Sequence, residues 1–255
     1  MGLIGCGTIG KALAGECRYG PLARRVQLTA LYDVHREKAE ALARRMRRRP
    51  EVALSTEALV RASDLILEAA SPAAVPSLLR AVGRYRKDLL VMSTAGLLQA
   101  KRELRNIQNA GCRITIPSGA LVGVDGLKSF SVGPIRRVTL TTRKPPRSFG
   151  LPSLRKAKTL LSGSALRAIR AYPQNVNVAA TVLLAGIPLR KFHVRIIADP
   201  TLSRNAHELT VEGRDGRFVC RTENVPSSNP KTSRLAILSA RRTFRQLFQP
   251  VHVGT

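Results

Sequence analysis

The chain has 255 residues, of which 44% are hydrophobic and 4% aromatic, with no tryptophan; this suffices for one compact unit or two joined domains with a large core. No apolar run approaches the ~18 residues of a membrane-spanning helix, and no charged-then-apolar leader is present, so a membrane partner is not expected and the cytoplasm is the expected location. The formal net charge of +27 is the one anomaly, and it excludes an acidic, solvating type of chain.

The first ten residues, Met-Gly-Leu-Ile-Gly-Cys-Gly-Thr-Ile-Gly, read as a short apolar strand running into Gly5, Gly7 and Gly10. This is the G-x-G-x-x-G spacing of a dinucleotide site. Gly5 permits the tight turn, Gly7 lets backbone approach a pyrophosphate, and Gly10 lets the following helix pack close to the strand. Thr8 and Ile9 fill the variable positions. The helix from about Lys11 then offers N–H groups and a partial positive charge to the phosphates. The chain opens almost inside this strand, which leaves no room for a targeting segment and suggests that a few residues are missing ahead of Met1. Val26 to Tyr32 is the second strand, and it ends on Asp33, 33 − 10 = 23 residues past the last glycine. That matches the acid that binds a ribose 2′-hydroxyl, roughly 20 residues on. Asp33 argues for NAD, whereas His35 and Arg36 could cradle the 2′-phosphate of NADP.

A helix from Glu37 to Arg48 ends in the dense run Arg44-Arg45-Met46-Arg47-Arg48-Arg49, read as a solvated face whose cations suit the helix dipole. The remaining cations are spread along the chain. A charge this large draws anions in general, an anionic substrate included, but no specific nucleic-acid partner is expected. Val52-Ala53-Leu54 is a short strand-like piece, and Ser55-Thr56 caps the next helix. Asp64 to Ala70 is a buried strand, and Ser71-Pro72 starts a helix through Leu79. Asp88 to Ser93 is a strand, Leu98 to Ala110 a helix, and Cys112 to Ile116 a strand. Such alternation means an α/β, doubly wound parallel sheet of the Rossmann type. Right-handed crossovers put Ala69-Ala70-Ser71-Pro72 and Ser93-Thr94-Ala95-Gly96 on the ligand edge, so Ala70 and Ser71 are expected cofactor contacts.

After Pro117 the texture changes. Ser118 to Gly123 is a loop of small residues, Val138 to Thr142 is a strand, and Arg143-Lys144 ends it with two cations. Arg147 to Lys158 reads as a loop that could carry a lid, and Val176 to Ala185 as a buried helix. Strand-like alternation returns at Val194–Asp199, Glu208–Val211 and Arg217–Arg221. This is a second α+β domain with an open mixed sheet, spanning 118–231. The last helix, within 232–255, returns to complete the first domain of 1–117. The four cysteines (Cys6, Cys17, Cys112, Cys220) lack metal-ligand spacing, so neither disulfides nor a metal site is expected.

Several stretches together resemble the archaeal-type L-aspartate dehydrogenases. They are the glycine turn, Glu68-Ala69-Ala70-Ser71, Ser118-Gly119-Ala120, Thr141-Thr142-Arg143-Lys144-Pro145-Pro146, Gly163-Ser164-Ala165, Asn175-Val176-Asn177-Val178-Ala179-Ala180-Thr181, His207-Glu208 and Asn229-Pro230-Lys231-Thr232-Ser233. The Asn-Val-Asn and Asn-Pro-Lys-Thr-Ser stretches are the restrictive ones. The resemblance implies oxidation of L-aspartate to iminoaspartate with NAD or NADP as cofactor, the imine then hydrolysing to oxaloacetate and ammonia or feeding quinolinate and NAD biosynthesis. It implies a homodimer, His207 as the catalytic histidine, and Ala120 and Asn177 as cofactor contacts. The chain departs from the family at Ser162 and Ser228, where acidic residues are usual.

Chemically, His207 is the best proton acceptor among the four histidines, because imidazole titrates near the working pH. A substrate with two carboxylates calls for cationic anchors, for which Lys231, Arg143 and Lys144 are the candidates, with Asn229 and Thr232 adding hydrogen bonds at a helix start. Two rivals share the first domain's appearance: a homoserine-dehydrogenase-like or dihydrodipicolinate-reductase-like oxidoreductase, and a nucleic-acid-binding protein with a dinucleotide-sensing domain. The first predicts preference for another substrate. The second predicts salt-sensitive DNA binding that survives loss of His207.

Overall fold

The computed structural model describes the chain except residues 173–175, 230, 231 and 255 and the side chain of Val176. It divides into two compact units, Met1–Pro117 with Ile237–His252, and Ser118–Ala236 with the tail from Val253.

The first unit is a six-stranded, wholly parallel sheet. Its strands are β1 (Gly2–Ile4), β2 (Ala30–Tyr32), β3 (Glu51–Val52), β4 (Leu65–Glu68), β5 (Asp88–Val91) and β6 (Ile114–Thr115). The order β3-β2-β1-β4-β5-β6 puts the topological switch beside β1, where a doubly wound sheet opens a crevice for a ligand. Leu3, Leu31, Leu67 and Leu90 carry the core across the sheet. Helix α1 (Thr8–Arg18) adds Leu13, Ala14 and Cys17 to that core, and α2 (Arg36–Arg45) adds Ala39, Leu42 and Ala43. The helix α2 stops short of the expected Arg48. Like charges three and four apart repel on a helix, and Pro50 disfavours helical backbone just before it. Met46 is accordingly extended.

The helices on the other side are α3 (Thr56–Arg61), α4 (Val75–Tyr85), α5 (Thr94–Gln99) and α6 (Lys101–Asn109). The expected helix 98–110 is thus two helices, parted at Ala100, and α5 begins at Thr94 directly on the ligand edge. Gly96 explains how α5 fits there, since a Cβ on it would lie 2.4 Å from the Pro72 carbonyl.

The second unit is a five-stranded mixed sheet of order β11-β10-β7-β9-β8. The strands are β7 (Ile135–Lys144), β8 (Lys158–Ser164), β9 (Phe192–Ala198), β10 (Asn205–Gly213) and β11 (Gly216–Asn224). Only β7 and β9 pair in parallel. One face buries Val138, Leu140, Val194, Ile196, Leu209 and Val211 against α8 (Ala165–Ala171) and α9 (Val176–Leu184). The other face bears Thr139, Arg195, Glu208, Thr210, Arg221 and Glu223, the alternate residues of the same strands. Strand β8 falls in a stretch where the sequence pattern shows no element. It is an edge strand with Leu161 as its one buried residue, so it has no alternation to read. Helix α7 (Val124–Ser131) is equally absent from the sequence pattern.

Helix α10 (Arg234–Gln246) inserts Ala240 and Phe244 into the first unit's core. Its Arg241 and Arg245 both bind Glu16 of α1, whose side chain is fully buried; the Arg245 contacts are 2.7 and 3.0 Å. Burial pushes this carboxyl up, but hydrogen bonds from the two guanidiniums outweigh it and hold it below its ordinary value. Loss of either arginine leaves Glu16 paired with the other, whereas loss of Glu16 leaves two adjacent guanidiniums without their shared carboxylate.

Candidate active site

At the carboxyl edge of the parallel sheet each glycine of the turn meets a different constraint. Gly5 has φ +88°, and a Cβ there would lie 2.5 Å from the Ala69 carbonyl oxygen. A Cβ on Gly10 would reach 1.9 Å from the Gly5 carbonyl, so α1 lies against the strand at a distance only glycine allows. Gly7 differs: a Cβ there would meet nothing within 4 Å. The constraint at Gly7 is therefore not internal packing, and the open space in front of it is where a pyrophosphate would sit. Gly7 is the residue before α1, and no side chain caps the helix. Its orphan N–H groups therefore suit phosphate oxygens, and the turn fits a dinucleotide. Thr8 and Ile9 form the first turn of α1, both half-buried.

Asp33, just past β2, accepts from the Cys6 N–H at 2.7 Å and from its own turn at His35 N–H at 2.9 Å. A carboxylate has about four lone-pair sites, so roughly two remain for a ribose. Arg36 is turned to Glu40 at 2.9 Å instead of towards Asp33. Burial, with Asp33 beside it, pushes the Cys6 thiol up to about 12, which makes it inert packing.

Glu68 organises the adjoining loops, although the sequence pattern marks it only as part of a motif. Its fully buried carboxyl accepts from the N–H of Ala70 (2.8 Å), Met92 (3.1 Å) and Ser93 (2.9 Å), and from the Ser93 hydroxyl (2.7 Å). Burial pushes it up and the four donors oppose that shift, leaving it above the usual carboxylate value. One side chain thereby fixes the ends of both β4 and β5, and it leaves Ala70 and Ser71 exposed on the ligand edge.

In the second unit, strand register builds a polar patch at one end of an otherwise apolar face. His207 of β10 lies opposite Thr142 of β7 and Thr222 of β11. It is 6% exposed, and its Nδ1 is 3.0 Å from the Thr142 hydroxyl. Burial pushes the imidazole down to about 4, with the Lys144 ammonium as the second cause. Lys144 is itself lowered by burial. Two residues along β7 from Thr142, it shares His207's face, whereas Arg143 points to the other and pairs with Asp199 at 3.2 Å. The two adjacent cations are therefore separated by the sheet. Helix α9 lies over the patch: Ala179, with Ala168 and Ile169 of α8, closes a void of about 10 Å³ against Thr142, Leu140, Val194 and Ile196. Asn177 is exposed in the first turn of α9.

Asn224, at the end of β11, is a residue that sequence reasoning misses. It is 4% exposed, and its Nδ2 donates to the Ala120 carbonyl at 3.2 Å. This ties the Ser118-Gly119-Ala120 turn, with φ +68° at Gly119, to the patch. Its Oδ1 is buried without a partner among the described residues. The only signal for it is its place two residues past Thr222, on the face of His207. The segment ahead of α10 folds back on itself, with Thr232 N–H on the Asn229 carbonyl (2.9 Å) and Arg234 N–H on the Val225 carbonyl (2.8 Å). Asn229 and Thr232 thus lie in one turn at the start of α10, and Lys231 lies outside the described residues. Among the described residues, no group of three or more His, Cys, Asp or Glu is placed to hold a metal ion.

Comparison with known proteins places these features in context. Residues 5–117 match the family model described as homoserine dehydrogenase, NAD binding domain, and residues 125–247 match that described as aspartate dehydrogenase, C-terminal. The chain is 40% identical to an L-aspartate dehydrogenase of Methanosarcina barkeri, over all of this chain and 99% of that one. It is 42% identical to an L-aspartate dehydrogenase of Methanothermobacter thermautotrophicus, over all of this chain and 98% of that one. The crystal structure of aspartate dehydrogenase from Thermotoga maritima superposes with a TM-score of 0.74 at 26% identity, covering 99% of this chain and 98% of that one.

Proposed function

The chain belongs to the L-aspartate dehydrogenase family, and from that premise we propose that it oxidises L-aspartate to iminoaspartate with a nicotinamide cofactor, His207 taking the proton. One observation carries the assignment of roles: a buried, neutral imidazole held by Thr142, with an ammonium from Lys144 on its own face of the sheet.

The roles follow from the chemistry of each group. The N–H groups at the start of α1 hold the pyrophosphate in front of Gly7, and Asp33 takes the ribose hydroxyls with its remaining lone pairs. A carboxylate there repels a 2′-phosphate, and Arg36 is engaged with Glu40, so NAD is the preferred form. Ala70 and Ser71 continue that surface along the ligand edge, and Ala120 and Asn177 are the cofactor contacts that the family resemblance implies. The bound nicotinamide supplies the acceptor for the hydride. The tautomer of His207 whose Nδ1–H donates to Thr142 leaves Nε2 with its lone pair free for the substrate's ammonium proton. Lys144 anchors one carboxylate as a point charge, and Lys231 with Asn229 and Thr232 anchors the other. A dicarboxylate beside Lys144 offsets the charge that lowers His207, raising the imidazole towards the working pH. Arg143 serves the site through Asp199, holding the end of β7 and β9. The polar face of the mixed sheet is the surface we assign to a homodimer.

Steady-state assays with L-aspartate and L-homoserine, each with NAD⁺ and NADP⁺, test the reading through absorbance of the reduced cofactor. Aspartate with NAD⁺ is expected to give the highest kcat/KM. Preference for homoserine would overturn the substrate assignment.

A further inference from the structure

At the opposite edge of the parallel sheet, where β2 begins, lies a cavity of about 550 Å³. The end of α1 (Cys17, Arg18), the residues just past α2 (Met46–Arg48) and the connection Ala23–Leu28 line it. Five of its lining residues are arginines: Arg18, Arg24, Arg25, Arg47 and Arg48; no Asp or Glu lines it. The nearest carboxylate on α1, Glu16, is consumed by Arg241 and Arg245. Two of the guanidiniums are held by neutral acceptors, Arg25 by the Phe248 carbonyl at 2.7 Å and Arg48 by the Gln27 side chain at 3.1 Å. These bonds fix orientation without offsetting charge.

The bland account is that arginines gather here to complement two helix C-termini. The magnitudes do not balance. Each helix end carries roughly half a negative charge, so two of them offset about one of the five guanidiniums. A solvated face also has no need of a cavity, and this one has a floor: Cys17 and Leu28 are buried, Val26 and Met46 half-buried. Its volume lies within the roughly 300–1,000 Å³ of small-molecule sites. Guanidinium forks match phosphate oxygens in pairs, and the apolar floor matches a flat ring.

We propose that this cavity is a second ligand site, taking a nucleoside polyphosphate with its phosphates on the arginine rim and its base on the Val26, Leu28 and Met46 floor. It is independent of the glycine turn, which occupies the other end of the same strands.

The test is calorimetric titration of the full chain, saturated with NAD⁺, with ATP and separately with inorganic tripolyphosphate at about 0.15 M salt. ATP is expected to bind once per chain, and more tightly than tripolyphosphate. Arg24→Gln/Arg47→Gln/Arg48→Gln should weaken ATP at least tenfold. The control Lys101→Gln/Arg102→Gln/Arg105→Gln removes the same charge from α6 and should leave binding unchanged. All six positions are exposed, and matching thermal melts establish that both variants are folded; Arg47→Gln alone gives a smaller loss if the triple variant melts early. Absence of saturable binding overturns the proposal. So does loss of ATP binding on NAD⁺ saturation, which assigns it to the glycine turn, or equal weakening in both triple variants, which assigns it to bulk charge. Tripolyphosphate binding as tightly as ATP overturns the role of the floor.

Discussion

The two sheets build their functional ends differently. The parallel sheet makes its ligand edge from backbone: glycines that clear space, a helix start with no side-chain cap, and one carboxylate that pins two loops from within. The mixed sheet makes its patch from side chains brought together by register, with His207 facing Thr142 across 65 positions of sequence. A backbone site tolerates any side chain that stays out of the way and fails when a Cβ is added. A side-chain site does the reverse, losing chemistry while the fold persists.

The largest expected effect falls on the side-chain site. His207→Ala should lower kcat by about 10²–10⁴, the usual worth of a positioned acid–base group, with NADH binding retained in a fluorescence titration. Equal loss of both would make His207 structural and erase the contrast between the sheets.

On the backbone site, Gly10→Ala should reduce stability by about 1–3 kcal/mol or more, the range for overpacking, because the added Cβ meets the Gly5 carbonyl oxygen. Gly7→Ala, with nothing within 4 Å, should melt close to the parent yet bind the cofactor more weakly. If Gly7→Ala bound NADH as the parent does, the open space in front of Gly7 would not be the phosphate site.

A pH series sharpens the comparison further. The His207 imidazole has an ordinary value of 6.5 and about 4 when folded. Between these values the unfolded chain takes up the proton and the folded chain does not, so this residue's contribution to stability is complete above pH 6.5. It falls away as pH drops towards 4, by up to about 3 kcal/mol at 1.36 kcal/mol per pH unit. Denaturant melts of the parent and of His207→Gln should diverge across that window. Parallel curves would mean that the imidazole titrates normally. The smallest effect is in specificity: Asp33→Ala should weaken NAD⁺ more than NADP⁺, read as the ratio of their KM values, and an unchanged ratio would remove its ribose role.

The contrast also explains what can be read in advance. The glycine turn, Asp33 and the alternating strands are legible because the constraint on each is local: a φ value, a close approach, a buried apolar run. The ends of elements are not. Helix α2 stops at Arg45, where its own run of like charges and Pro50 work against it, and the expected helix 98–110 divides at Ala100, because charge repulsion and capping shift a terminus without changing the apolar pattern. Strand β8 escapes notice because a single buried residue leaves no period. Lys144 and Arg143 look equivalent as a pair, and only their placement on a pleated strand assigns one to His207 and the other to Asp199. Glu68 is marked only as one member of a motif and Asn224 only by its place past Thr222, since the importance of both lies in the groups they reach.

By itself, then, the sequence determined the type of sheet and the dinucleotide turn, since spacing and residue chemistry suffice for these; His207 is singled out by the family resemblance. Tertiary structure alone decided which cation shares the histidine's face, how far its imidazole is lowered, and that arginines from separate helix ends surround one cavity. Those outcomes depend on burial and distance, and neither is a property of residues taken in order along a chain.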